Sequence, residues 1–497
     1  MKPSLISREV RGQVRQHSRR QLPASRAGER GVTMALVAAA MVAIMAMAAL
    51  SIDAVTLYLA NAEAQRSADS AALAAARVIS LSGITGTAST GTQASYWQQI
   101  CGGATSLATQ TAQAVATQNT VGGVSATVTV TYSVGTGTPN ADCSTLSTGF
   151  AINPLVQVKV QRLNLPTFFA RIWGKTGSSV SATAAAEAFN SSNSGSVISG
   201  GIVPVQPRCV KPWIVPNLDP LNPPANKGVY CNPANPTNAF CLPIASPTDG
   251  SITHPGISLG GTGANGVIGE TFTLIPDCKN GGTCTTRSNP PVANRTSMGG
   301  SPVPPNLEYL PGEVSAASVG VPADGTDACS LAADSNYAQA IAGCDQNTVY
   351  QCGVTGGNVV DLSENPRSGD SAHGAQCLIH QPTPGLGTVS GQDTMEDASY
   401  PFQITAGDNN PLKISGNVIT SSNSVVTVPI YDGAALLNST GTSNVTIVGF
   451  MQVFINSVDA TGDVSVTVLN ISGCSSTAAS SPVHGSSPVP VRLITPP

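Results

Sequence analysis

Charge is scarce in this chain. Asp, Glu, Lys and Arg make up 10% of its 497 residues, and the net charge is only −4. Fifteen of the 23 Lys and Arg are spread thinly beyond residue 30. They form no basic patch of the kind that binds a polyanion, so nucleic acid is not an expected partner. Aromatic residues are also few, at 4%, so packed cores have to be built from Val, Ile, Leu and Ala. The motifs of catalysis are missing too: there is no H-E-x-x-H, no P-loop and no Cys or His in a nucleophile setting. No two cysteines stand three apart, and His17, His254, His373, His380 and His484 do not fall at zinc-ligand spacing with them. The expectation is a protein without enzymatic activity, cofactor or metal.

Two short matches to catalytic motifs fail on context. Gly256-Ile257-Ser258-Leu259-Gly260 fits G-x-S-x-G, but a nucleophile elbow needs a following helix, and the residues after it read as none. Gly261 to Gly266 fits G-x-G-x-x-G without the strand–helix frame that a dinucleotide site requires. Both read as glycine-rich loop. Asp459 with Asp463, and Asp408-Asn409-Asn410, read as strand turns rather than calcium loops.

What the chain does have is one long apolar run. Gly31 to Ile52 is 22 residues without a charge, bounded by Glu29–Arg30 and by Asp53. At ~1.5 Å per residue it makes roughly 33 Å of helix, enough to cross the ~30 Å hydrocarbon core of a bilayer. Residues 1–30 carry eight basic side chains against Glu9 and Glu29, which places this tail in the cytoplasm by the positive-inside bias. A secretory leader has a shorter apolar region, about 7–15 residues. Here the helical pattern continues to about residue 79 with neither Pro nor Gly, which fits an uncleaved anchor. Ala35, Ala39 and Ala43 share a face of that helix, a spacing that lets helices approach in lipid, although plain alanine enrichment explains it as well. Asp53, Glu63 and Asp69 are expected to face water or partner chains. A prepilin leader, with Glu five residues after a Gly, is absent, since Leu36 and Thr33 stand there.

The stretch from Gly31 through SIDAVTLYLANAEAQRSADSAALAAA resembles the N-terminal segment of TadE/TadG-like Flp (tight adherence) pilus-assembly proteins, the TadG-like branch in particular. The residues that carry the resemblance are Gly31, Asp53, Gln65, Asp69, Ala72, Leu73 and Ala74, over about 45 residues. Ala54-Val55 follow the Asp where many relatives have a Gly. The resemblance implies a bacterial inner-membrane, single-pass component of pilus assembly or tight adherence. Its partners would be lipid, other pilus-assembly proteins or pilin. Some relatives carry a von Willebrand factor A domain, whose metal motif is most nearly matched by Asp361-Leu362-Ser363-Glu364-Asn365, without the alternating helices and strands of that domain. Cys209–Pro220 resembles a Pro-Trp segment found after the linker in long TadG-like proteins.

Beyond the helix, residues 53–190 read as α+β. Helix 104–119 is followed by strands at 124–134 and 154–163, a short helix or turn at 165–174, and a strand or helix at 178–189. Phe168, Phe169 and Trp173 are expected in its core. A linker at 191–201 leads to a Cys/Pro/Gly-rich region, 202–395. There 311–318, 337–344 and 372–379 are expected as short regular pieces, and Glu308 to Gly312 as a turn. A β region follows at 396–475, with strands at 401–405, 424–432, 444–458 and 463–471, and then a disordered tail, 476–497.

All twelve cysteines lie after the apolar run: Cys101, Cys143, Cys209, Cys231, Cys241, Cys278, Cys284, Cys329, Cys344, Cys352, Cys377 and Cys474. An even number on the expected outer side reads as disulfides made in an oxidising compartment, with Cys101 and Cys143 able to pair. The fold class is therefore a single transmembrane helix followed by an α+β region and a disulfide-rich, mainly β ectodomain. Two other readings stay open. One is a surface adhesin or minor pilin-like subunit, and the other an envelope enzyme, which a metal in the ectodomain or labelling at Ser258 would favour.

Overall fold

A computed structural model of the chain describes residues 27–86, 94–147, 149–174, 177–188, 205–219, 221, 243–247, 250, 252–263, 265–276, 306–314, 331, 335–361, 369–381, 391–432, 441–460, 462–474, 483–485 and 489–496. One α-helix runs unbroken over Ala27–Leu81, its only glycines being Gly28 and Gly31 in the first turns. The chain divides into two units, one of residues 1–58 with 166–178, the other of 59–165 with 179–497.

In the first unit, every large apolar side chain from Val32 to Ile52 is exposed. By length and composition this helix can cross a membrane. Large apolar side chains exposed all round a helix, among the described residues, are what lipid rather than water accommodates.

The second unit begins with the outer half of the same helix, which is part of a protein core. Ala64, Ala68, Ala72 and Ala76 form one buried row, and Ala71, Ala75 and Ile79 the row beside it. Spacings of three and four put both on one face. Against that face lies the helix Leu107–Gln118, whose Ala108, Ala112 and Ala116 are equally buried. Small side chains on both helices allow close approach, and Ser67 donates to the carbonyl of Ala116 at 3.5 Å. A further helix, Ala94–Cys101, went unread in the sequence. Its Trp97 ring packs edge-on against Phe150, 5.6 Å away, and its Cys101 is bonded to Cys143.

A four-stranded sheet covers these helices in the order Thr127–Val134, Pro154–Leu165, Ser178–Ala188, Val491–Ile494. The alternation over 124–134 and 154–163 appears as strands, and 178–189 resolves as strand rather than helix. The last strand corrects the sequence reading of 476–497 as a disordered tail. Arg492 pairs with the fully buried carboxylate of Glu187, and Ile494 joins Leu155 and Ala185 in the core. A Ser/Pro-rich tail hides a four-residue strand whose only signal is one Val-Arg-Leu-Ile run.

The larger β element is a closed barrel. Its strands follow the order Val464–Gly473, Ile447–Val458, Val425–Tyr431, Trp213–Pro216, Asn306–Pro311, Ile268–Pro276, and the last pairs back onto the first. Closure removes the free edges that an open sheet would expose. Three strands come from the Cys/Pro/Gly-rich stretch and three from the later β region. Glu308 to Gly312, expected as a turn, instead supplies most of a barrel strand, with Tyr309 fully buried and donating to Ser371 at 2.8 Å. The flanking prolines and glycines gave it a turn's appearance. Asp459 and Asp463 do form a strand turn, closed by Asp459 N–H to Asp463 O at 3.0 Å. The pieces at 337–344 and 372–379 are the helices Asn336–Ala342 and Asp370–Ile379. Residues 315–318 lie outside the described residues.

The long helix ends on this barrel. Asn470 donates to the carbonyl of Ser80 and accepts from Thr85, while Tyr400 donates to the carbonyl of Ser82. Gly83 makes the turn there at φ +76°, and a Cβ would stand 3.0 Å from Ile268. Cys209–Cys344 and Cys352–Cys474 staple the barrel to the segments around it. Cys377 is buried, and Cys231, Cys241, Cys278, Cys284 and Cys329 lie outside the described residues.

Candidate functional site

Of the motif residues, Asp53 has the most definite role. It ends the uncharged run, yet it is 4% exposed rather than facing water or a partner, as the sequence suggested. Its carboxylate accepts backbone N–H bonds from Phe168 (2.9 Å), Phe169 (3.1 Å) and Ala170 (2.7 Å). These amides open the 3-10 turn Ala170–Trp173, which closes with Gly174 at φ +80°. A helical turn leaves its first N–H groups without internal partners, and an ionised carboxylate satisfies them best. The capping position, Phe169, has no side-chain acceptor of its own, so Asp53 supplies one from 116 residues earlier in the chain. The turn presents Phe168 and Ile172 outward, 60% and 75% exposed, so Phe168 is not the core residue expected of it.

The other motif residues belong to the outer half of the helix. Gln65 donates to Asp69 at 2.7 Å across one turn, on the exposed side. Ala72 is fully buried in the alanine row, and Leu73 and Ala74 are half-buried beside it. Gly31 lies in the first turns of the helix. Glu63 accepts the N–H of Gly122 at 2.7 Å, fixing the turn that follows Leu107–Gln118. The motif therefore does not converge on one pocket. It is distributed between an apolar span, a carboxylate that holds a turn, and a packing face.

The chemistry-bearing residues singled out in the glycine-rich loop have structural roles. Ser258 is buried in the strand Ile257–Gly261, donates to Gly266 O at 2.7 Å and accepts from Asn265 N–H at 2.9 Å. Asp361 ends the strand Asn358–Asp361, which pairs with Thr442–Val445, and residues 362–365 lie outside the described residues.

Two buried charged places escaped the sequence reading. Lys211 is 4% exposed and donates to Gly343 O at 2.6 Å and Ala340 O at 3.5 Å, at the C-terminal end of Asn336–Ala342. Burial pushes its amine down to about 7. Near one end of the barrel, Asp219, His254 and Glu270 each place a ligand-type atom within 4.8 Å of the others'. Burial, and then the charge and hydrogen bond of Asp219, push the Glu270 carboxyl up to about 9. Their sequence separations gave no signal, because three distant segments meet only through barrel closure.

One long apolar N-terminal helix, an α/β region and a β-barrel, with three disulfides among the described residues, define a chain whose first helix is consistent with membrane anchoring. Within it, residues 31–78 match the family model described as putative Flp pilus-assembly TadE/G-like, so the chain carries a TadE/G-like domain. That domain is the helix itself, from the exposed span to the buried alanine face. No curated protein and no solved structure matches the chain.

Proposed function

We propose that this protein is a single-pass, inner-membrane component of Flp pilus assembly or tight adherence, of the TadG-like branch, acting without catalysis. Its basic tail faces the cytoplasm, and its body lies in the periplasm, where it contacts pilin or other assembly proteins. The carrying observation is the TadE/G-like match over residues 31–78, which falls on a helix whose inner half is apolar and bare. The three disulfides among the described residues support an oxidising compartment for the body. The eight basic residues before the span support the orientation.

Immunoblots of membrane, periplasmic and sheared-surface fractions test this reading. Full-length protein confined to the membrane, with loss of surface pili on deletion, is the expected result. A shortened form in the sheared fraction would replace it with a pilus-associated adhesin.

A further inference from the structure

We propose that Asp219, His254 and Glu270 bind a divalent transition-metal ion of the zinc type, which ties three separate segments at one end of the barrel. Asp219 follows the strand Trp213–Pro216, His254 precedes Ile257–Gly261, and Glu270 lies on Ile268–Pro276. His254 Nδ1 stands 3.3 Å from Asp219 Oδ2. Two ligands bound at about 2.1 Å on a tetrahedral centre stand about 3.4 Å apart, so that pair already has the separation of metal ligands. The third ligand atom falls within the same 4.8 Å cluster.

Glu270 supplies the independent observation. Its side chain is fully buried, and apart from a proton that it could share with Asp219, neither carboxylate oxygen has a hydrogen-bond donor among the described residues. Its polar neighbour is Asp219, another acceptor, itself 1% exposed. Two buried carboxylates side by side call for either a shared proton or a cation. The imidazole favours the cation, because it brings a nitrogen ligand to the same point, and its side chain is 24% exposed, which leaves a way in from solvent. The glycine loop leaves the room. Gly263, at φ +63°, passes so close that a Cβ there would stand 2.6 Å from Glu270 Oε1. One imidazole and two carboxylates suit zinc, cobalt or manganese. Calcium takes six to eight oxygens and magnesium a largely hydrated octahedron, so both fit poorly.

The test is metal binding to the full-length protein in detergent, after chelator treatment and dialysis, titrated with Zn²⁺, Co²⁺ and Ca²⁺. The parent, Glu270→Gln and His254→Ala are compared. Glu270→Gln preserves shape and can still hydrogen-bond Asp219, so it guards against a mere folding defect, and near-ultraviolet circular dichroism checks each variant. The expected result is one zinc-binding step that weakens at least tenfold in both variants, with a cobalt visible spectrum in the parent alone and no comparable step for calcium. A zinc step that survives in both variants, no step in the parent, or equal binding of calcium would overturn the proposal. The absence of any step in the parent would leave the two carboxylates sharing a proton. None of these outcomes depends on the pilus reading, because the measurement is made on the purified chain.

Discussion

Single residues in this protein do work that their local sequence does not announce. Asp53 is the main case. Removing its carboxylate should free the 3-10 turn at Ala170–Trp173, because each hydrogen bond to a charged group contributes about 1.5–3 kcal/mol. In Asp53→Ala, hydrogen exchange at the amides of Phe168, Phe169 and Ala170 is expected to accelerate by roughly ten- to a hundredfold. Asp53→Asn, keeping one acceptor oxygen, should fall between. Unchanged exchange in the alanine variant would mean that the turn holds itself. Lys211 gives a second case, through pH. Held down at about 7, it binds fewer protons folded than unfolded between there and its unfolded value of about 10.4, so its contribution to stability grows as pH rises through that window. Other groups add their own pH dependence, Glu270 among them where no metal ion neutralises it. The informative quantity is therefore the difference between Lys211→Met and the parent. From pH 7 to 9 that difference should move against the variant by about 2 kcal/mol. Equal pH slopes in urea unfolding would show that Lys211 titrates normally. The carboxylate at 53 was legible as a motif residue, but its partner was not, since nothing in Phe-Phe-Ala announces a need for a distant acceptor.

At the scale of elements, the long helix has two kinds of surface on one continuous backbone. The uncharged run and its flanks made the inner half plain from the sequence. The outer half was legible as helix, and its alanines read as mere continuation, although they are the face that a core closes on. The two halves should respond differently to the same substitution. Ala72→Leu forces added volume into a fully buried site and should cost about 1–3 kcal/mol, read as a lowered unfolding midpoint of the full-length protein in detergent. Ala39→Leu, in the exposed span, should leave that midpoint unchanged. Equal effects would mean that the alanine face is not a packing surface. Strands with clean alternation, such as Val425–Tyr431 and Val464–Gly473, were visible in advance for the ordinary reason that period two marks a sheet. Trp213–Pro216 and Asn306–Pro311 were not, because prolines and glycines surround them and their partners lie far along the chain.

For the molecule as a whole, local pattern could not show that the barrel would draw strands from both sides of residue 396, since closure depends on pairings between distant segments, Trp213–Pro216 with Val425–Tyr431 in parallel and Ile268–Pro276 with Val464–Gly473 antiparallel. Such a topology forms slowly and has little local structure to lean on. Covalent links that shorten the unfolded chain are then worth more where the loop is longer, and the two barrel links, Cys209–Cys344 over 135 residues and Cys352–Cys474 over 122, both close long loops. Cys352–Cys474 closes 122 residues and sits within the core cluster of Tyr350, Ile447 and Phe450, whereas Cys101–Cys143 closes 42 in the smaller sheet region. Cys352→Ser with Cys474→Ser should therefore cost about 2–5 kcal/mol and lower the melting temperature by roughly 5–15 °C. The corresponding loss of Cys101–Cys143 should cost less and leave the barrel's near-ultraviolet signal in place. If neither pair moves the melting temperature, these two links do not stabilise the body, and its apolar core and Cys209–Cys344 hold the barrel without them. If the order is as argued, the body gains most of this covalent stabilisation where disulfides form, in an oxidising compartment.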